Sequence, residues 1–183
     1  MMTASTSLQD MLIRPDYLID SNCLVDPYNR YYSPDFRLSR VFWDKLKSLV
    51  QEGQVGLVSK VREEVYGHQS DQLDQWLDDV RSLEIECERS QEIVLAYQQV
   101  LQFVASEESG YQSTAIRDWA QDKVADPWLI GAAVEFSCPI VTFENAQVEA
   151  DQPWKHPKIP TVAGSFGLQC VDLFDFMRQS DGF

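Results

Sequence analysis

Long apolar runs, paired cysteines and a surplus of basic charge are all missing from this chain of 183 residues. No stretch approaches the roughly 18 apolar residues that span a membrane, so we expect no membrane-embedded segment. Glycine and proline occur only eight times each, which excludes collagen-like and low-complexity chains. Residues 1–14 have neither a basic head nor a long apolar stretch, so we expect a flexible arm and not a secretory signal. Residues 15–183, in a chain that is 44% hydrophobic, predict a single globular domain.

The cysteines also exclude several classes of site. Cys23, Cys87, Cys138 and Cys170 lie far apart without a C-x-x-C pair, and the chain has only two histidines. This pattern argues against structural zinc and fits a cytoplasmic protein. Cys138 and Cys170 lie in apolar, strand-like runs, so we expect them to be buried, reduced thiols. No G-x-G-x-x-G motif follows an apolar run, which argues against a dinucleotide-binding enzyme.

Apolar runs with strand character alternate with segments of helical spacing. Strands are predicted at 17–20, 55–58, 138–143 and 168–171, with a proline- and tyrosine-rich loop at 21–35. Helices are predicted at 38–52, 59–67, 71–83, 90–106, 114–125 and 126–137, with a terminal helix after the last strand. This order predicts an α/β domain with a mostly parallel central sheet and helices on both faces.

Four carboxylates stand at the ends of strands or the beginnings of helices. Asp20 ends the first strand, Glu64 follows the second, Asp126 begins an apolar helix and Glu144 follows the I-V-T-F strand. Because the carboxyl ends of parallel strands meet at one sheet edge, we expect these acids to share a crevice. Clustered carboxylate oxygens are the ligands that Mg²⁺ and Mn²⁺ prefer. Two such ions about 4 Å apart can drive phosphodiester hydrolysis.

Each acid also has a simpler explanation. Asp20 fits a turn residue, and Asp126 before Pro127 fits a helix N-cap. Glu64 lies at the boundary of the buried face of its helix whereas Glu63 points to solvent, yet Glu64 also fits an ordinary surface acid. Glu144 fits a loop acid.

Three polar residues have supporting roles in this interpretation. Asn22 is placed to hold Asp20 or a water ligand, although an Asx-turn fits it equally. Thr142, in the pattern T-x-E, is placed to hydrogen-bond a carboxylate. Lys158 is a candidate phosphate contact, with a solvated lysine as the alternative.

The charge is unevenly distributed along this acidic chain, whose net charge is −14. Residues 30–62 hold seven basic and three acidic residues, a local charge of +4, whereas residues 63–126 hold four basic and fifteen acidic residues, a local charge of −11. A nucleic acid would therefore approach through 30–62. The candidate contacts are Arg30, Arg37, Arg40, Lys60 and Arg62, with a chance imbalance on a solvated surface as the alternative.

Seven segments together resemble the PIN domain (PilT N-terminus) nucleases, and in particular a PIN-like bacterial family akin to VapC-type toxins. They are YLIDSN (17–22), FWDKLKSLVQEGQV (42–55), VREEV (61–65), ADPWLIGAA (125–133), VTFE (141–144), KIP (158–160) and FGLQCVDLFDFMR (166–178). The resemblance implies a three-layer α/β/α sandwich and a Mg²⁺- or Mn²⁺-dependent endoribonuclease that leaves a 5′-phosphate. By position it implies Asp20, Glu64, Asp126 and Glu144 as the acidic set. It also implies a toxin that an antitoxin protein inhibits.

Two other functions remain open. The first is a non-catalytic module that binds RNA or protein on the same fold. The second is a phosphatase with Asp20 as nucleophile, although its D-x-D motif would need aspartate where Asn22 stands. Cys23 is a further, weak candidate nucleophile. The helices at 38–52 and 90–106 are candidates for a homodimer interface or simply cover the sheet, and Trp154 is a candidate for stacking on RNA.

Overall fold

The computed structural model describes residues 14–69, 71–145, 155–180 and 183. In these residues four short strands form one sheet, in the spatial order β2-β1-β3-β4. The strands are β1 (Tyr17–Ile19), β2 (Val55–Gly56), β3 (Ile140–Val141) and β4 (Cys170–Val171). Every pairing is parallel, with Leu18 opposite both Gly56 and Ile140. The predicted α/β class with a parallel sheet in a three-layer α/β/α arrangement is confirmed, although each strand is shorter than its apolar run.

Helices connect the strands. They are α1 (Asn22–Asp26), α2 (Ser39–Gln51), α3 (Ser59–Val65), α4 (Asp71–Val80), α5 (Gln91–Ala105), α6 (Ser113–Trp119), α7 (Asp126–Phe136), α8 (Ile159–Ser165) and α9 (Leu173–Gln179). Two 3₁₀ turns span Arg81–Leu83 and Cys87–Arg89. In the described ranges no helix is both long and apolar enough to cross a membrane. The helix predicted at 114–125 ends early, at Trp119.

The prediction of a loop at 21–35 was wrong. The chain turns into α1 two residues after Asp20 and continues as a π-helix over Pro27–Tyr31. The wide turn closes when the Tyr32 N–H donates to the Pro27 carbonyl at 2.6 Å. The polar and proline content of this segment suggested a loop, but proline is compatible with the first turn of a helix.

The core centres on α7, which is apolar on nearly every side and packs on β3, α3, α5 and α8. Its close approach to α5 depends on Gly131. A Cβ atom at this position would lie only 2.8 Å from the backbone nitrogen of Tyr97 and 3.3 Å from the Ile93 carbonyl. The missing side chain therefore lets two helices pack backbone against backbone.

The prediction of a buried thiol is confirmed for Cys138 but not for Cys170. Cys23, Cys87 and Cys138 are buried, Cys170 is half-buried, and all four are free. Residues 1–13 of the predicted arm and Trp154 lie outside the described residues.

Candidate functional site

The crevice predicted at the sheet edge lies between β1 and β3. The chain places β2 on one side of β1 and β3 on the other, so the strand order reverses between β1 and β3. Ligands of open α/β sheets bind outside the carboxyl ends of the strands at such a reversal. Asp20 follows β1 and Thr142 follows β3, and the Thr142 hydroxyl donates to Asp20 Oδ2 at 2.7 Å.

Asp20 is a buried carboxylate whose pKa is affected by the charges of Glu144 and Glu64. Only 2% of the residue is exposed. The pKa of Asp20 is raised from 3.8 to about 6, mainly by burial, and the charges of Glu144 and Glu64 contribute to this rise. The hydrogen bond from Thr142 opposes this shift because it stabilises the ionised form. The hydrogen bond from Thr142 therefore offsets only part of the cost of ionising Asp20 in this buried, acidic environment.

Asp126 lies at the start of α7, with Pro127 in the first turn of the helix. The predicted capping role is not observed, since Ala125 occupies the N-cap position and no side chain caps the helix. Burial raises the pKa of Asp126 well above its usual range, and the charges of Asp20, Glu144 and Glu64 act in the same direction. Asp126 thus interacts electrostatically with all three of the other predicted acids.

Glu64 and Glu63 are both exposed, and they differ in their partners. Burial raises the pKa of the Glu64 carboxyl, and a hydrogen bond from the Ser21 side chain opposes that shift. Glu63 instead forms an ion pair with Lys60 at 3.2 Å. Both residues border the same open cleft, but Glu64 alone is linked to the crevice, through Ser21 and through the effect of its charge on Asp20 and Asp126.

Glu144 has two partners that the sequence did not predict. Its Oε1 accepts from Lys158 Nζ at 2.8 Å, and its Oε2 accepts from the backbone N–H of Ile159 at 2.7 Å. The carboxylate therefore anchors the first turn of α8 as well as facing Asp20 and Asp126. The pKa of the Lys158 ammonium is raised mainly by this hydrogen bond to Glu144, and the charges of Asp126 and Asp20 act in the same direction.

Asn22 ties α1 to the segment that follows β3. Its side-chain nitrogen donates to Thr142 Oγ1 at 3.1 Å, and its side-chain oxygen accepts from the backbone N–H of Phe143 at 3.0 Å. Thr142 Oγ1 also accepts from the backbone N–H of Glu144 at 3.0 Å. These contacts orient the Asp20 carboxylate.

Ser21 is a site residue that sequence reasoning missed. Its hydroxyl donates to Asp20 Oδ1 at 3.4 Å, and its proximity to Glu64 lowers the pKa of that carboxyl. Its position directly after Asp20 was the available signal, because a residue at that place begins the turn into α1.

Two of the five predicted nucleic-acid contacts, Lys60 and Arg62, form ion pairs with carboxylates of this chain. Lys60 is 4% exposed and forms ion pairs with Glu63, Glu88 and Asp122. The Arg62 side chain is half-buried between Asp78 and Glu84, at 2.8 and 2.9 Å. The interpretation of Lys60 and Arg62 as phosphate contacts is therefore not supported by the structure, because carboxylates already neutralise them.

The other three candidates remain accessible. Arg30, Arg37 and Arg40 are exposed. Arg30 forms a long ion pair with Asp26 at 3.6 Å, at the surface. Exposed pairs of this kind contribute little to stability, so Arg30 is free to exchange its partner.

Cys23 does not have the chemistry of a nucleophile. It is fully buried, and burial together with the charge of Asp20 raises the pKa of its thiol well above the usual range. A reactive cysteine needs a lowered pKa.

The carboxylates at the crevice have the ligand chemistry that a divalent cation such as Mg²⁺ prefers. The charges of neighbouring carboxylates contribute to the raised pKa values of Asp20 and Asp126, and the Lys158 ammonium is coupled to Glu144, Asp126 and Asp20. In the described part of the chain, however, no three His, Cys, Asp or Glu side chains are arranged to hold one ion. Mg²⁺ needs no such cage, since one or two carboxylates, waters and substrate phosphates commonly complete its coordination.

The fold and site together define an α/β domain with an acidic crevice at the switch point of a parallel sheet. The sequence profile of the family described as "Domain of unknown function (DUF4411)" matches residues 17–182, and the chain belongs to this family. Neither a curated protein nor a solved structure matches the chain. The matched span includes all four carboxylates, and the resemblance to PIN-domain nucleases stays a prediction.

Proposed function

We propose that this protein is a Mg²⁺- or Mn²⁺-dependent endoribonuclease. The observation that supports the proposal is the electrostatic coupling of Asp126 to Asp20, Glu64 and Glu144, and of Asp20 to Glu64 and Glu144. They come from four separate parts of the chain and repel one another electrostatically. A fold retains such repulsion at a cost to stability, which favours a functional role over a structural one.

Asp20 and Asp126 are the two residues that would hold the cation. Thr142 and Asn22 keep the Asp20 carboxylate in one orientation through the bonds at 2.7 and 3.1 Å. A divalent ion bound there would supply Lewis-acid activation of water and stabilise charge on a phosphodiester. Glu64 would orient the attacking water and accept its proton. Lys158 would lie beside the phosphate once it releases Glu144.

The biological setting is part of the same proposal. The resemblance to VapC-type toxins supports RNA as substrate, an antitoxin as partner and a toxin–antitoxin role. The net charge of −14 suits a basic inhibitory partner. Four free thiols accord with a cytoplasmic location. Growth arrest on expression, relieved in the Asp126→Asn variant, is the expected result for a toxin.

A second candidate function is a non-catalytic binding module on this fold. One observation favours it. Both oxygens of Glu144 are already hydrogen-bonded, to Lys158 and to the backbone of Ile159, so this carboxylate has a complete structural role.

Matched substitutions of the neighbouring acids Glu64 and Glu63 distinguish the two functions. Cleavage of an RNA transcript is measured with Mn²⁺ and with EDTA. For a nuclease, we expect Glu64→Gln to reduce the rate by at least about 100-fold. Glu63→Gln should leave the rate nearly unchanged, because Glu63 pairs with Lys60. RNA binding without metal-dependent cleavage in the wild type would refute the nuclease and support the binding module.

A further inference from the structure

Three aromatic rings form a cluster beside the acidic crevice. Tyr31 ends the π-helix, Phe143 lies between Thr142 and Glu144, and Phe174 belongs to α9. The ring centroid of Tyr31 lies 5.9 Å from that of Phe143 and 5.5 Å from that of Phe174, and the two phenylalanines lie 5.5 Å apart. Tyr31 is 50% exposed although its ring is supported on two sides. The cluster therefore presents an aromatic surface next to the carboxylates.

The backbone fixes this surface to the site. Asn22 accepts a hydrogen bond from the Phe143 N–H at 3.0 Å, which connects the start of α1 to the segment carrying Thr142 and Glu144. The π-helix then brings Tyr31 back over Phe143. A π-turn changes the direction of the following side chains, and such turns are frequent at functional sites.

Basic charge lies on the same segment. Arg30 directly precedes Tyr31, and Arg37 and Arg40 follow it, all three exposed. Phe36 and Leu38, between these arginines, are 66% and 86% exposed. Arginines interleaved with exposed aromatic and apolar side chains are an unusual surface on a chain with a net charge of −14. They match a ligand that carries both phosphates and flat rings.

We propose that Tyr31, supported by Phe143 and Phe174, stacks on an unpaired base of single-stranded RNA while Arg30, Arg37 and Arg40 contact the phosphates. Cleavage of that strand rests on the proposed nuclease function, whereas its binding does not. The class of RNA follows from geometry, because an aromatic surface can stack only on a base whose face is free. In an A-form duplex the base faces are covered by their neighbours.

The test is fluorescence anisotropy of an unstructured, labelled single-stranded RNA of twelve nucleotides, measured in EDTA so that metal and cleavage play no part. We expect Tyr31→Leu to weaken binding by about 5- to 100-fold, the range typical of losing one base–aromatic stack. Tyr31→Phe should bind within about 2-fold of the wild type, since it retains the ring. Leu95→Ala is the matched control, because Leu95 on α5 is likewise 50% exposed. A duplex of the same sequence should bind more weakly and should not respond to Tyr31→Leu.

The arginines have a separate readout. For single strands the logarithm of affinity falls with the logarithm of salt by about 0.7 per phosphate contact. The double variant Arg37→Gln, Arg40→Gln should therefore reduce that slope by about 1.4. This measurement still decides the proposal if Tyr31→Leu fails to fold.

Four results would overturn the inference. Folded Tyr31→Leu would bind the single-stranded RNA as tightly as the wild type, or the wild type would bind the duplex more tightly than the single strand. Alternatively, the double arginine variant would keep the salt slope of the wild type, or the wild type would not bind the RNA. A dimer that Tyr31→Leu converts to a monomer, with RNA affinity unaltered, would assign the surface to a second copy of this chain instead. Metal-dependent cleavage of single-stranded RNA with an unchanged KM in Tyr31→Leu would refute the platform and leave the nuclease intact. Lost binding in a protein that never cleaves RNA would support the platform within a binding module.

Discussion

Replacing Asp20 by asparagine is expected to stabilise the fold at neutral pH. Asparagine has nearly the same shape, and its side-chain oxygen still accepts the hydrogen bond that Thr142 donates at 2.7 Å. What the substitution removes is the buried charge, together with its repulsion from Glu144 and Glu64.

The size of the effect follows from the pKa of Asp20. A rise from 3.8 to about 6 corresponds to roughly 3 kcal/mol at about 1.4 kcal/mol per pKa unit. Because the pKa is higher in the folded state, this contribution to stability is fully present below about pH 4 and is lost as pH rises through 6. The neutral asparagine avoids that loss. At pH 7 the variant should therefore be up to about 3 kcal/mol more stable than the wild type, or about 6–12 °C in melting temperature.

The assay is chemical and thermal unfolding in EDTA at pH 4, 5, 6 and 7. The gain in Asp20→Asn should appear between pH 4 and 7 and should be near zero at the acid end. Asp79→Asn is a control of opposite sign, since Lys47 at 2.7 Å lowers the pKa of Asp79 and the substitution removes that ion pair. If the difference in free energy of unfolding between Asp20→Asn and the wild type did not change with pH, the claim that ionised Asp20 destabilises the fold would be refuted.

Two further predictions concern the helices around the site. Glu144→Ala should lower the free energy of unfolding by about 1–2 kcal/mol, because the Ile159 N–H and Lys158 lose their partner, as in the loss of a helix cap. Glu144→Gln should recover part of that loss in urea unfolding, and equal values for the two variants would contradict the anchoring role. Gly131→Ala should cost about 1–3 kcal/mol in the same assay, since its Cβ would lie 2.8 Å from the Tyr97 nitrogen. A neutral or stabilising effect would show that α5 and α7 can move apart.

Much of the architecture could be predicted because local patterns determine it. The most strongly periodic segment, at 90–106, predicted α5 to within one residue at each end, and Ser90 caps that helix through the N–H of Ile93 at 3.2 Å. The short apolar runs predicted the strands, and their alternation with helices predicted parallel pairing. Their exact lengths were not predictable, because buried residues continue past the last ladder pair, as at Leu57 and Val58 after β2.

The candidate site was predictable where it depends on strand ends and helical phase. Asp20 follows a buried strand, and Glu64 differs from Glu63 by one step of about 100° around the helix. Partners that depend on tertiary contacts were not predictable. The pairing of Glu144 with Lys158 joins residues 14 positions apart, and Lys60 is neutralised by Glu88 and Asp122, which come from other elements.

The most direct test of the central claim is the shift in melting temperature that millimolar Mn²⁺ produces, in the wild type and in Asp126→Asn. A cation that binds only the folded state stabilises it by mass action, by about 2.7 kcal/mol at 100 times its dissociation constant. For a chain of this length that is roughly 5–10 °C. We predict such a shift in the wild type and its near disappearance in Asp126→Asn, with each protein compared to its own value in EDTA. Equal shifts in the two proteins, or none in either, would contradict a metal site at the carboxylate edge.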